Sequence, residues 1–166
     1  MKNWIEINEN EENEIWDKIY NDLKFKPSVH PNDWPSLQIS APYIKYDVSD
    51  IYKDNKYEEL YKDLEEKMEN IFVECTKENE YVLALDWQHR CYYFNPRIES
   101  IRDEFGEWPV PIFPNGDYYF FIQKEFRWGF LGHPWEKSIS IFGEELIQSI
   151  EQKKPKLLKK IVDKNF

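Results

Sequence analysis

Five polar side chains that could do chemistry fall near the ends of predicted strands in the second half of the chain. They are Asp86, His89, Asp117, His133 and Glu136. Imidazole and carboxylate groups serve as metal ligands and as general acids and bases. If the strands align, these side chains could face one cleft. A small-molecule-binding protein or an enzyme would use them there.

A metal site would combine His89, His133 and a carboxylate, a set that suits zinc or iron. Asp86 and His89 are three residues apart, however, and in an unbroken strand this spacing directs two side chains to opposite faces. Turn positions also fit local hydrogen bonds that hold loops. We therefore predict no resident metal ion and no cofactor.

Cys91 paired with His89 or His133 would form a thiol nucleophile. No spacing places these residues together, and a free cysteine in a strand is usually a small core residue. The sequence also lacks a Walker A loop, a G-x-G-x-x-G run, H-E-x-x-H, C-x-x-C and G-x-S-x-G. We assign no catalytic residue, and an enzyme is the less favoured interpretation.

The elements that must position these side chains follow from hydrophobic periodicity, which is helical before residue 80, strand-like over 81–142 and helical again to the end. The first helix is capped by Asn8 and ends before Pro27, and the second covers Tyr57–Cys75. The predicted strands are a short edge strand over Tyr43–Val48, then Tyr81–Trp87, Arg90–Phe94, Asp117–Ile122, Arg127–Leu131 and Lys137–Phe142.

A proline-rich loop over 96–114 has at most one helical turn, near 98–103. Gly143 opens a final helix, which Pro155 interrupts before Leu157, Leu158, Ile161 and Val162. The sequence predicts a single α+β domain, 1–166, with an antiparallel sheet of four to six strands and helices packed on one face. Its parts are an N-terminal helical region 1–80, the sheet 81–142 and C-terminal helices 143–166.

The formal net charge of −10 is unevenly distributed. Residues 1–80 hold 20 acidic and 10 basic side chains, whereas the rest of the chain is neutral. Duplex nucleic acid requires a broad basic face and is therefore excluded as a partner. An acidic face suits a basic protein. No apolar run could cross a membrane and no secretory signal is visible, so we expect a cytoplasmic protein with free thiols.

The charge concentrates on the helix over 57–75, opposite its apolar stripe. Glu58, Glu65, Glu66 and Glu69 line that face, and they would steer a basic partner toward the protein. Trp34 and Trp108 lie in proline-rich loops, where an exposed indole could serve as a binding hot spot. We predict a partner surface made of these six residues.

Three runs resemble a known family of small bacterial proteins from Gram-positive spore-formers, catalogued as a domain of unknown function. The runs lie at 84–89, 113–121 and 128–136, and the most specific piece is Gly-His-Pro-Trp-Glu at 132–136. The resemblance extends from Trp4 to about Ile150. It implies a bacterial, cytosolic protein of one domain and no particular activity. The small, acidic, aromatic-rich chain is also similar in type to immunity proteins that neutralise cytotoxic nucleases.

The favoured hypothesis is a non-catalytic protein-binding module, of the immunity or inhibitor type, directed against a basic partner such as a toxin. One alternative is a small-molecule-binding protein or enzyme that uses the polar cluster on the sheet. The other is a structural protein that self-associates through a sheet edge or an aromatic patch. The oligomeric state is open at this level.

Overall fold

The computed structural model describes residues 2–98 and 107–166. Its helices are α1 (Glu9–Asp22), α2 (Tyr57–Cys75) and α3 (Glu144–Lys153). Its strands are β1 (Trp4–Glu6), β2 (Tyr43–Asp47), β3 (Val82–Asp86), β4 (Tyr92–Phe94), β5 (Tyr119–Ile122), β6 (Gly129–His133), β7 (Ser138–Phe142) and β8 (Lys160–Asn165). The helical turn predicted near 98–103 lies largely outside the described residues.

The strands form one antiparallel sheet in the order β1-β4-β3-β5-β6-β7-β2-β8. The α+β class is confirmed, but the prediction of four to six strands is wrong because the sheet has eight. Strand β1 has three residues, too few to show an alternating pattern. Strand β8 is exposed throughout, so no buried face marks it in the sequence.

Helices cover both faces of the sheet, and the prediction of helices on one face is wrong. Trp16 and Ile19 of α1 pack with Phe120 on one face. Phe72 of α2 packs with Phe121 on the opposite face, where α3 also lies. Because successive side chains of a strand point to opposite faces, the apolar run of β5 needs a cover on each side.

The helix over 57–75 and the Asn8 cap are confirmed. The Asn8 Oδ1 accepts a hydrogen bond from the backbone N–H of Glu11 at 2.9 Å, which satisfies one of the free donors of the first turn. Among the described residues, no helix is both long and apolar enough to span a membrane.

Two predictions about the edge of the sheet near β2 and β8 are wrong. The strand predicted at an edge, β2, lies between β7 and β8. The helix predicted beyond Pro155 is instead β8, which pairs with the otherwise free side of β2. Pro155 ends α3 because it cannot continue a helix, and the buried Leu157 and Leu158 then anchor the chain before β8 begins.

Candidate functional site

A cleft of about 780 Å³ opens between α2, β5 and the loop that precedes β5. Tyr57 and Tyr61, one turn apart on α2, and Tyr119 of β5 form its aromatic lining. The other lining residues are Glu58, Lys62, Glu65, Glu66, Glu107, Pro111 and Asn115. We call this site the tyrosine cleft.

The tyrosine cleft has a strong excess of negative charge. Among the described residues, four glutamates line it together with one cation, Lys62, whose Nζ lies 3.9 Å from the Glu66 carboxylate. Glu58 and Glu66 are exposed at the surface, whereas Glu65 is only 7% exposed. The cleft therefore presents both rim carboxylates and a buried one to an incoming group.

The pKa values of the cleft tyrosines reflect burial and this charge. Burial, and next the nearby Glu65, raise the pKa of Tyr61 well above its usual range. Burial also raises the pKa of Tyr119 to about 12, with further contributions from Asp86, Asp117 and Glu107. Both hydroxyls stay neutral at physiological pH, so the rings keep their electron-rich faces without adding charge.

Three of the five predicted polar residues meet next to Tyr119. The Nδ1 of His89 lies 3.0 Å from Oδ1 of Asp86 and 3.1 Å from Oδ2 of Asp117. Asp86 is the last residue of β3 and is opposite Tyr119 in the register with β5. The expectation that Asp86 and His89 point to opposite faces is wrong because the strand ends at Asp86 and the chain turns back through Gln88, which has a positive φ.

Burial and mutual contacts change the pKa values of Asp86 and His89 within the Asp86–His89–Asp117 cluster. Burial raises the pKa of Asp86 to about 6, although the hydrogen bond from His89 acts in the opposite direction. The hydrogen bond to Asp86, and next the negative charge of that carboxylate, raise the pKa of His89. Among the described residues, these three also form the group whose ligand atoms, all within 4.8 Å of one another, could hold a metal ion.

His133 lies on the other face of the sheet, together with Tyr118 and Ser36. Its ring packs 4.9 Å from the ring of Tyr118, which belongs to the α1 layer, whereas Tyr119 belongs to the α2 layer. The predicted five-residue cluster is thus divided into two groups by the sheet itself. A shared metal site formed by His89 and His133 is not supported by this arrangement.

The Ser36–His133 pair resembles a nucleophile and base, but its tautomer is wrong for that role. The backbone N–H of Glu136 donates to Nδ1 of His133 at 3.0 Å, so the ring proton resides on Nε2. That nitrogen lies 2.9 Å from the Ser36 Oγ and therefore acts as the donor. His133 cannot accept the serine proton in this state, and the pair holds the proline-rich segment against the sheet.

The remaining predicted residues have structural surroundings. Glu136 forms an ion pair with Lys45 at 2.9 Å. Trp34 packs its ring 5.0 Å from that of His133 and donates its indole N–H to the Ser28 carbonyl. Trp108 is 2% exposed and packs against other aromatic rings of the core, so the expectation that it is an exposed hot spot is wrong.

The other glutamates and Cys91 differ in their accessibility. Glu65 is buried and Glu69 is half-buried, so neither is a freely exposed steering charge as predicted. Glu69 does not line the tyrosine cleft, whereas Glu58, Glu65 and Glu66 do. Burial raises the pKa of the Cys91 thiol to about 12, which keeps it protonated and unreactive as a nucleophile.

The tyrosines are the site residues that the sequence interpretation missed. Tyr57 and Tyr61 belong to the apolar stripe of α2, and such a stripe predicts core. The signal that could have indicated them is chemical: tyrosines at the N-terminal end of the stripe carry hydroxyls and are flanked by Glu58 and Glu65.

A second cleft, of about 900 Å³, lies on the α1 side of the sheet. Its charges are mixed, since Lys18, Lys77 and Lys124 line it together with several glutamates. Among the described lining residues, five glutamates face three lysines, so its excess of negative charge is smaller than that of the tyrosine cleft. The tyrosine cleft is therefore the stronger candidate for recognition of a charged group.

Residues 6–147 match the family described as "Protein of unknown function (DUF2716)". The chain belongs to this family. The DUF2716 assignment confirms the resemblance of the Gly-His-Pro-Trp-Glu sequence and carries no activity with it.

A relative supports the same assignment. The DUF2716 chain is 38% identical, over 168 aligned positions, to the uncharacterized protein YxiI of Bacillus subtilis (strain 168). The alignment covers 96% of this chain and 99% of that protein. No solved structure gives a significant match.

Proposed function

We propose that this protein is a non-catalytic binding module that captures a basic protein through the tyrosine cleft. The observation that carries the proposal is the combination of three tyrosine rings and four glutamates in one cleft, with a single lysine among its described lining residues. An arginine or lysine side chain of the partner would lie against the tyrosine rings and approach Glu65.

Cation–π attraction supports this choice of ligand. A guanidinium or ammonium group over a tyrosine face gains about 0.5–2 kcal/mol, depending on how far it is desolvated. Tyr57 and Tyr61 lie side by side, with their ring centroids 5.8 Å apart. Neutral tyrosines flanked by carboxylates attract a cation by both the ring quadrupole and the full charges.

Long-range electrostatics support a protein partner rather than a small ion. The net charge of −10 resides in residues 1–80, which include α2 and its exposed Glu58 and Glu66. Such a field accelerates the association of a basic protein and is weakened by salt. An immunity- or inhibitor-type role against a basic toxin is the specific form that we propose, in the cytoplasm, where two free buried thiols are stable.

Self-association through the sheet edge is the less favoured function. The exposed edge strand β8 has a register shift opposite Lys45 and Tyr46 and carries Lys160 and Lys164. Bulges and lysines are the devices by which proteins keep edge strands from pairing with other chains. A pairing of two β8 strands would have to overcome both.

The experiment is a quantitative pull-down from a lysate of the source cell, read out by mass spectrometry, with three bait proteins. The first is the wild-type protein, and the second carries Glu58→Lys and Glu66→Lys at the cleft. The third carries Glu14→Lys and Asp17→Lys on α1, exposed positions outside the tyrosine cleft that give the same change in net charge. We expect one basic protein on the first and third baits, released from both by salt, and none on the second.

Retention of the same basic protein by the cleft variant would contradict the proposal. Loss from both variants would show that net charge alone drives the association, which would also contradict the assignment to the tyrosine cleft. Circular dichroism of the three baits establishes that each is folded before the comparison.

A further inference from the structure

The Asp86–His89–Asp117 cluster is a separate group of polar side chains, and none of its three members lines the tyrosine cleft. Its members come from three segments: the end of β3, the following turn and the residue pair before β5. They bring one imidazole nitrogen and two carboxylate groups to one point, with the distances of 3.0 and 3.1 Å given above. The Trp87 carbonyl oxygen lies 3.1 Å from the same nitrogen.

The charges at this point are unbalanced. The side chains of Asp86 and Asp117 are only 16% and 20% exposed, so water solvates them poorly. Among the described residues, no lysine or arginine forms an ion pair with either carboxylate, and the imidazole of His89 is the group that contacts both. Two like charges this close, largely removed from water, favour a cation between them.

One nitrogen also faces more acceptors than it can satisfy. The Nδ1 of a neutral or charged imidazole carries at most one hydrogen, yet three oxygens surround it at hydrogen-bond distance. Replacing that hydrogen with a metal ion would let the nitrogen and both carboxylates act as ligands together.

We propose that Asp86, His89 and Asp117 bind one divalent transition-metal ion. A nitrogen and two oxygens form a ligand set suited to Zn²⁺, Mn²⁺ or Fe²⁺ rather than to a thiolate-selective metal. Three protein ligands leave at least one coordination position open. The His89 side chain is 65% exposed, so the cluster is open to solvent and accessible to an external ligand. This site is independent of the basic-protein proposal.

The test is calorimetric titration of the metal-free, full-length protein with Zn²⁺, compared with three variants. We expect one Zn²⁺ per chain in the wild type and at least about tenfold weaker binding in His89→Gln and in Asp117→Asn. His30→Gln removes an exposed histidine elsewhere and serves as the matched control, with unchanged binding.

An NMR titration of the wild type keeps the proposal falsifiable if a variant fails to fold. Zn²⁺ should shift the imidazole resonances of His89 before those of His30 and His133. The proposal is overturned if the wild type shows no stoichiometric binding, because the cluster then holds only a proton. It is also overturned if folded His89→Gln and Asp117→Asn bind as the wild type does, or if His30 responds first.

Discussion

The Nε2 of His133 lies 2.9 Å from the Oγ of Ser36 and joins β6 to the proline-rich segment on the α1 side. His133 is 5% exposed, and its imidazole packs edge-to-face against the rings of both Trp34 and Tyr118. Its Nδ1 already accepts the Glu136 N–H. Protonation would therefore place a second N–H against an existing donor, so the fold depends on a neutral His133.

This dependence predicts acid sensitivity with a defined sign. Burial lowers the pKa of His133 from 6.5 to about 4. Because the folded pKa is depressed, the stabilisation is fully present above pH 6.5 and is lost as the pH falls toward 4. The loss at His133 is roughly 3 kcal/mol of unfolding free energy. Urea unfolding between pH 7 and pH 4 measures it, and NMR titration reports the pKa directly.

His133→Gln supplies the control for this prediction. Glutamine retains an N–H donor toward Ser36 but does not titrate in this range. The variant should lose less stability than the wild type between pH 6.5 and 4, whatever its stability at pH 7. Equal pH dependence in both proteins would show that His133 does not couple protonation to folding.

Gly132 belongs to the Gly-His-Pro-Trp-Glu sequence and allows close packing of the chain. A Cβ at this position would lie 2.7 Å from the Cβ of Pro114 and 3.2 Å from the Tyr119 carbonyl oxygen. Gly132→Ala should therefore destabilise the protein by about 1–3 kcal/mol in urea unfolding. An unchanged unfolding free energy in Gly132→Ala would contradict this prediction, because the contact with Pro114 would then relax without a loss of stability.

Phe72 connects α2 to the sheet. It is fully buried and stacks on Phe121 and Trp128, with ring centroids 5.5 and 5.7 Å apart. Phe72→Ala should cost about 3–5 kcal/mol of unfolding free energy, because it leaves a cavity between two aromatic rings. Val73→Ala, at the adjacent half-buried position, should cost much less. Similar losses for the two variants would mean that α2 does not pack on the sheet as described.

The sequence predicted the elements with strong local patterns. In the helix predicted over Tyr57–Cys75, apolar residues recur at helical spacing on one face and charged residues lie on the other. The bounds of this helix, α2, are confirmed. Strand β8 could not be predicted, because Ile161 and Val162 follow two leucines at a spacing that also fits a helix. Its conformation is set by pairing with β2, more than a hundred residues earlier in the chain.

The site residues could likewise be predicted one by one from the sequence, whereas their positions relative to one another could not. The sequence indicated Asp86, His89 and Asp117 individually, but their meeting depends on the turn after β3 and on the pairing of β3 with β5. Likewise, Tyr61 and Tyr119 come together only because α2 packs over β5. Burial of Trp108 depends on Trp4 and Phe94, which are distant in sequence.

The tyrosine cleft itself can be tested at one ring. Tyr61→Leu removes the π-face but keeps an apolar side chain, whereas Tyr61→Phe keeps the face and removes the hydroxyl. If a cation enters the cleft, Tyr61→Leu should weaken binding by about 0.5–2 kcal/mol, and Tyr61→Phe should change it little.

The most direct measurement is an NMR titration of wild type, Tyr61→Leu and Tyr61→Phe with a hexa-arginine peptide, at low and moderate salt. We expect shifts concentrated at Tyr57, Tyr61 and Tyr119, weaker binding by the leucine variant alone and loss of binding with salt. Equal affinities for all three proteins, or shifts spread over the acidic surface away from the cleft, would contradict it.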